Sequence, residues 1–338
     1  MRSSLLAILF TLVTAANAQR APTTAVIFGI GAPSGNDSPA KLGPVAIDRS
    51  GRIFHLDVAE ASIVAYSGAG KRLFAIGRRG DGPGEFRKPV AMVIDSANHL
   101  LVMDEAQRAV HRFDLSRSGP PRLLDRIPVP LTGHSICILG SQLVVLKSSS
   151  ASAPVIHLLA LQDGGATIVR SFAPANIVDK RASSIVIRMM LLDEGRLACN
   201  SAQQLVALAA EGSGTFHVYD KRGSEVARGA VPGFAEIPVM QDGPERFIVR
   251  AGPGGVMSIS AMEVAADGSV ALQASTQPRD YSSAQGPSQQ FWFDPAGRLT
   301  RKAAPTRMWR VAARDGILLC GLAEPEPTLV VTTAGSCP

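Results

Sequence analysis

Gly77 to Pro89, GRRGDGPGEFRKP, places four glycines, two prolines and six charged side chains within thirteen residues. Three kinds of chemistry use such a composition. A phosphate-cradling loop needs a Gly-Lys-Ser/Thr ending that opens a helix, and this stretch has neither. Arg79-Gly80-Asp81 matches an adhesion signal over only three residues. The third reading is a tight chain reversal, in which glycines supply positive φ while Pro83 and Pro89 fix φ near −65°. The reversal is the reading that the rest of the chain supports.

Other groups could do chemistry in combination. The chain has six histidines and four cysteines, Cys137, Cys199, Cys320 and Cys337. None of the cysteines has the Cys-x-x-Cys spacing of a zinc or thioredoxin-type site. An even number in an exported chain suits one or two disulfides, with three connectivities open, and a chain long enough to build its core without staples suits buried free thiols as well. No nucleophile, base and orienting group can be assembled from the sequence alone.

The elements that position these residues come from an internal repeat. AIDRSGRIFHLDVAEASIVAYS, from Ala46 to Ser67, aligns without a gap to VIDSANHLLVMDEAQRAVHRFD, from Val93 to Asp114, at one offset (94 − 47 = 47). Asp48 falls on Asp95, Gly51 on Asn98, Asp57 on Asp104 and Tyr66 on Phe113. Each copy reads as a short apolar strand, a turn, a second strand, a polar link and a third strand. Turns after a first strand are expected at Ser50/Gly51, Ala97/Asn98, Gly140/Ser141, Glu194/Gly195, Asp267/Gly268 and Asp315/Gly316, which makes six units. Spacings of this size suit a propeller blade, and the fold class expected is all-β: a six-bladed β-propeller of four-stranded antiparallel blades. Val26 to Ile30 precedes the first unit and Thr328 to Thr333 ends the last, so the ring should close by pairing of the N-terminal strand with the last blade.

Phe74 to Asp114 resembles the NHL repeat. Its Gly-x-Gly-Pro-Gly-x-Phe turn falls at Gly80 to Phe86, followed by Pro89, Asp95, Asn98, Asp104, Arg108 and Phe113-Asp114. The first unit matches in part, with Ala61 where the second has Arg108, and later units keep only the strand and turn pattern. The resemblance implies an NHL or YncE-like propeller and no particular activity.

In such a ring the crossovers between blades share one face with the links between second and third strands. Arg78, Arg79, Asp81, Glu85, Arg87 and Lys88 should therefore lie near Asp57, Asp104, Glu105 and Arg108, with His134 and Arg307 at the starts of inner strands beside the channel mouth. Phe86 should tuck between blades. This face is the candidate ligand-binding site, although Asp57 and Asp104 suit caps on backbone amides and the arginines suit solvated surface pairs. Two classes of function follow: a noncatalytic module for a protein or small acidic ligand, or a metal-dependent lactonase or lyase, as some similar propellers are. No catalytic residue, metal or cofactor is assigned. Of the histidines only His134 stands at the channel; His55, His111 and His157 fall inside middle or outer strands and His99 in a turn on the opposite face.

Arg2, the apolar run from Leu5 to Ala15 and Ala16 to Ala18 have the pattern of a signal peptide over residues 1–18, leaving 19–338 as one domain, secreted or periplasmic. The apolar run is too short to span a bilayer. A formal charge of +6 without a long basic run argues against nucleic acid as a partner and suits a mildly basic, monomeric surface.

Overall fold

The computed structural model describes residues 24–29, 43–178, 195–236, 255–277 and 287–305, positions 39 and 192, and the strand segments 239–241, 247–249, 309–314, 317–322 and 328–332. The signal-type segment, the turn at Asp315/Gly316, Arg307 and Cys337 lie outside these residues.

Strand β1 (Thr24–Phe28) comes first. Blade 1 is β2 (Val45–Ile47), β3 (Ile53–Asp57), β4 (Ser62–Tyr66) and β5 (Arg72–Ile76). Blade 2 is β6 (Pro89–Ile94), β7 (His99–Asp104), β8 (Ala109–Asp114) and β9 (Arg122–Pro128). Blade 3 is β10 (Ile136–Leu139), β11 (Gln142–Leu146), β12 (Pro154–Gln162) and β13 (Gly165–Pro174), followed by one helical turn, α1 (Ala175–Val178). Blade 4 is β14 (Arg196–Asn200), β15 (Leu205–Ala209), β16 (Thr215–Asp220) and β17 (Glu225–Ala230). A hairpin, β18 (Val239–Gln241) and β19 (Phe247–Val249), interrupts the passage to blade 5. Blade 5 is β20 (Val256–Val264), β21 (Val270–Gln277), β22 (Ser288–Phe293) and β23 (Leu299–Lys302). Strands β24 (Trp309–Arg314), β25 (Ile317–Leu322) and β26 (Thr328–Thr332) belong to blade 6.

The fourth strand of blade 6 is β1, in the sheet order β1-β26-β25-β24. Thr24 pairs with Thr332 and Val26 with Val330, so the two ends of the chain close the ring by hydrogen bonding. Ile27 and Phe28 of β1 are fully buried against Leu329, Val331 and Tyr66, which seals the joint with apolar surface. Each innermost strand contacts the next, in the order β2, β6, β10, β14, β20, β24 and back to β2. The fold is a six-bladed β-propeller.

Turn chemistry explains why the repeats reverse where they do. Asp48 Oδ1 accepts hydrogen bonds from the Ser50 and Arg52 amides, each at 2.9 Å, and Gly51 takes φ of 80°. Asp95 Oδ1 does the same for Ala97 and His99 at 2.8 Å, with Asn98 at φ 64°. The aspartate side chain thus substitutes for a backbone acceptor, and Gly or Asn tolerates the left-handed position.

Blade 4 departs from the expected turn at Glu194/Gly195. Gly195 donates to the Leu192 carbonyl at 3.0 Å ahead of β14, so Arg196–Asn200 is the innermost strand and not the second. The reversal lies at Ser201 to Gln204, where Gln204 itself holds φ of 56°. The corner has no glycine or aspartate; Asn200 caps it instead, its Oδ1 accepting the Gln203 amide at 3.0 Å.

Cys137 of β10 and Cys199 of β14 form a disulfide with a Cα–Cα distance of 5.7 Å, which joins the inner strands of blades 3 and 4. Cys320 is also disulfide-bonded, to a partner outside the described residues. Among the described residues, no helix is long and apolar enough to cross a membrane.

Candidate functional site

The crossover from blade 1 to blade 2 is cross-braced by its own backbone. Phe86 donates to the Arg78 carbonyl at 2.8 Å, Gly80 to that of Phe86 at 3.0 Å, and Glu85 to that of Gly82 at 3.0 Å. A Cβ on Gly77, at φ 75°, would overlap the Phe86 ring, so glycine is required there. Phe86 is fully buried beside His111, centroids 5.0 Å apart, and Phe113, at 6.1 Å. It fills the space between blades 1 and 2, as its sequence position suggested.

The charged side chains of this crossover have partners within the chain. Glu85 accepts from the Gly82 amide at 2.9 Å and from Arg78 Nε at 2.7 Å. The Gly82 amide, and then Arg78, hold its carboxyl below the ordinary value. Arg79 Nη2 donates to the Ala59 carbonyl at 2.6 Å and thereby reaches the second-to-third link of blade 1. Arg87 pairs with Asp81 at 2.7 Å, which raises the guanidinium pKa. Arg108 takes the left-handed conformation at φ 50° and donates to the Pro130 carbonyl at 2.7 Å. Apart from the part-buried bond from the Gly82 amide, these pairings are exposed and worth little individually, but they orient the charges toward the loops rather than toward one ligand.

The two aspartates serve as caps. Asp104 is completely buried at the end of β7. Its Oδ2 accepts from the Arg87 amide at 2.7 Å and its Oδ1 from the Gln107 amide at 2.9 Å and the Lys88 amide at 3.2 Å. One carboxylate therefore ties the crossover to the link of blade 2. Gln107 completes the tie by donating to the carbonyls of Gly80 and Glu85, at 3.1 and 3.2 Å. Asp57 accepts from the Glu60 amide at 3.0 Å in blade 1.

A different pair lies on the same face, where Lys88 leads into the innermost strand β6 and Glu105 follows β7. Lys88 Nζ lies 2.5 Å from Glu105 Oε2. The Glu105 carboxyl is held below its ordinary value by Lys88 first, with His134 and Lys147 acting in the same direction. His134 is exposed, just ahead of β10. Of the residues expected at this face, Lys88 and Glu105 form an ion pair, while Arg78, Arg79, Arg87 and Arg108 bind partners within the loops.

Lys147 is the functional candidate that sequence reasoning missed, yet a signal for it existed. It stands six residues past its blade's first turn, as Asp57 and Asp104 do (57 − 51 = 104 − 98 = 147 − 141 = 6). The repeat thus reverses charge at this position in blade 3. Among the described residues there is no group of three or more His, Cys, Asp or Glu side chains arranged to hold a metal ion. His55 and His111 are buried, and burial lowers the pKa of each to about 4.

Residues 43–123 match a family model described as a 6-bladed beta-propeller, DUF5128. That span covers blade 1 and enters the outer strand of blade 2, the two units that the repeat alignment joins. No curated protein matches the chain in sequence. Solved structures match it almost end to end. A member of the DUF4221 family from Bacteroides vulgatus aligns with a TM-score of 0.61 at 9% identity, covering 92% of this chain and 95% of its own. A Bacteroides fragilis protein whose name marks it as an exported candidate gives 0.55 at 10%, over 94% and 97%. Virginiamycin B lyase from Staphylococcus aureus gives 0.50 at 8%, over 92% and 98%. At such identities the likeness is one of fold, and this propeller's chemistry rests on its own side chains.

Proposed function

We propose that this propeller is an exported, noncatalytic binding module whose channel mouth on the crossover face takes a small acidic ligand. The observation that carries the reading is the ion pair of Lys88 with Glu105, whose carboxyl the charges of His134 and Lys147 also lower. Lys88 and Lys147 bring positive charge to the rim of a channel, where low-dielectric walls strengthen a field. The NHL-like crossover and the cap on Asp104 hold Lys88 in place, so the basic cluster is built on rigid backbone.

The test is calorimetric titration of the mature chain with citrate, succinate and inorganic phosphate at low and high salt. We expect binding that weakens as salt rises, since exposed charges are screened over about 10 Å at 0.1 M. Lys88→Ala with Lys147→Ala should remove it, and Glu105→Gln should strengthen it. Absence of binding for all three anions, or binding indifferent to the lysine pair, would refute the reading.

A further inference from the structure

The inner strands of blades 3 and 4 are joined at three levels. Ser135 Oγ accepts the Leu197 amide at 2.8 Å, two residues ahead of the Cys137–Cys199 bond on both strands. Past the bond, Ser201 Oγ accepts the Gly140 amide at 2.9 Å and donates to the Ile138 carbonyl at 3.0 Å. The disulfide therefore lies between two hydrogen-bonded ties. Leu139, Val144 and Leu197 fill the same seam as one buried cluster. These strands would stay side by side without the sulfur–sulfur bond.

The disulfides of the chain differ in access. Cys320, whose sulfur is also bonded, is completely buried. Cys137 and Cys199 instead line a cavity of about 320 Å³ among the inner strands of blades 2 to 5, with Val93 of β6 and Met262 of β20 on its other sides. That volume falls at the lower end of the range for small-molecule sites. Cys199 is half-buried there, whereas Cys137 is 9% exposed. Exchange requires a thiolate to reach one sulfur of the bond, so a disulfide beside a cavity can open in the folded protein and one sealed in the core cannot.

We propose that the Cys137–Cys199 bond is a modification site for a low-molecular-weight thiol that enters this cavity. The thiolate attacks Sγ of Cys199, the more exposed residue, forming a mixed disulfide and expelling Cys137 as a thiolate that takes up a proton. A second thiolate attacks the outer sulfur of the mixed disulfide and releases Cys199 as a thiol. In sum, two small thiols are oxidised to one disulfide while the protein disulfide gains two electrons and two protons. When no second thiol arrives, Cys137 attacks Cys199, restores the bond and expels the first thiol. The serine ties keep the two cysteines opposite each other throughout, so the inner strands of blades 3 and 4 lose their covalent clamp while the ring stays closed. This site is independent of the acidic-ligand reading.

The experiment exposes the folded full mature chain to 2-mercaptoethanol, traps free thiols with iodoacetamide and maps them by peptide mass spectrometry. Cys137 and Cys199 should be alkylated while Cys320 stays bonded, with circular dichroism unchanged and the melting temperature lowered by loss of a bond between residues 62 apart in sequence. Glutathione, which fills the cavity more tightly, should open the bond several-fold more slowly than 2-mercaptoethanol once each rate is divided by its rate on the unfolded chain. Cys137→Ser, which leaves Cys199 without a resolving partner, should hold a stable mixed disulfide after treatment with 2-hydroxyethyl disulfide, formed faster than the adduct of Cys199→Ser. If either serine variant fails to fold, the mapping on the wild-type chain decides alone. Opening of both disulfides together, resistance of Cys137–Cys199 up to the reductant concentration that unfolds the chain, or equal relative rates for the two thiols would overturn the proposal.

Discussion

The seams between blades 1 and 2 and between blades 4 and 5 solve the same packing problem by different means. The first is sealed by a short crossover that lays Phe86 over Gly77 and anchors its end on the buried carboxylate of Asp104. The second also places a phenylalanine, Phe234, over a left-handed glycine, Gly214, but that ring is only partly buried. Its other ties span long sequence distances: Asn200 Nδ2 donates to the Ala265 carbonyl at 2.6 Å, and the Ile259 amide to that of Glu211 at 2.9 Å. The first seam is written in contiguous residues and the second in contacts between distant ones. A seam of the first kind depends on a few residues with large individual effects, whereas a seam of the second kind spreads its stability over many small ones.

The comparison can be broken at the two rings. Phe86→Ala should destabilise the protein by about 3 to 5 kcal/mol, the range for deleting a fully buried aromatic side chain. Phe234→Ala should cost roughly half as much, because the ring retains contact with water. Urea unfolding of both variants measures the difference, and equal losses would show that the seams are mechanically alike.

The caps sharpen it further. Asp104→Ala removes a buried carboxylate that accepts three backbone amides, and a loss of about 3 kcal/mol is expected. Asn200→Ala removes a neutral cap and should cost about 1 kcal/mol. A loss at Asn200 as large as that at Asp104 would mean that charge adds nothing to capping here.

Acid should act on the first seam through His111. Its folded-state pKa of about 4 lies below the ordinary 6.5 because burial disfavours the charged ring. A group that prefers to stay neutral when folded contributes its stability above pH 6.5 and loses it as pH falls toward 4. By pH 4.5 the loss from this residue should reach about 2 kcal/mol. His55, with the same shift and its Nε2 accepting the Gly43 amide at 3.1 Å, should add to the effect. Melting temperature followed between pH 7 and 4.5 tests this, and His111→Gln should flatten the curve relative to wild type.

The smallest effect is expected at the outer arginines. Arg78→Ala with Arg79→Ala should change stability by no more than about 0.5 kcal/mol, since both side chains are exposed and their partners stay hydrated. Denaturation of the double variant decides whether these charges are surface pairs or structural parts of the crossover.

Much of the frame was legible because its signals are local. Asp48 and Asp95 turn the chain within a few residues, and the apolar runs of β3 and β7 need no distant partner to be read. Blade 4 was misread at one corner because Gln204 adopts a left-handed turn that its residue type does not advertise. Lys147 was overlooked because a lysine after a strand has no meaning until the repeat position it shares with Asp57 and Asp104 is set beside the crossover that carries Lys88.

The sequence by itself determined the number of blades, most of the turns, the burial of Phe86 and the closure of the ring by β1 and β26. Those features follow from residue type and spacing along the chain, and from the need of an apolar terminal strand for a sheet edge. Only the tertiary structure decided which charges are spent on loops, which one pairs with Glu105, how Cys137 meets Cys199, and where the cavity beside their disulfide lies. These depend on which inner strands stand side by side around the channel, and no neighbour in sequence sets that.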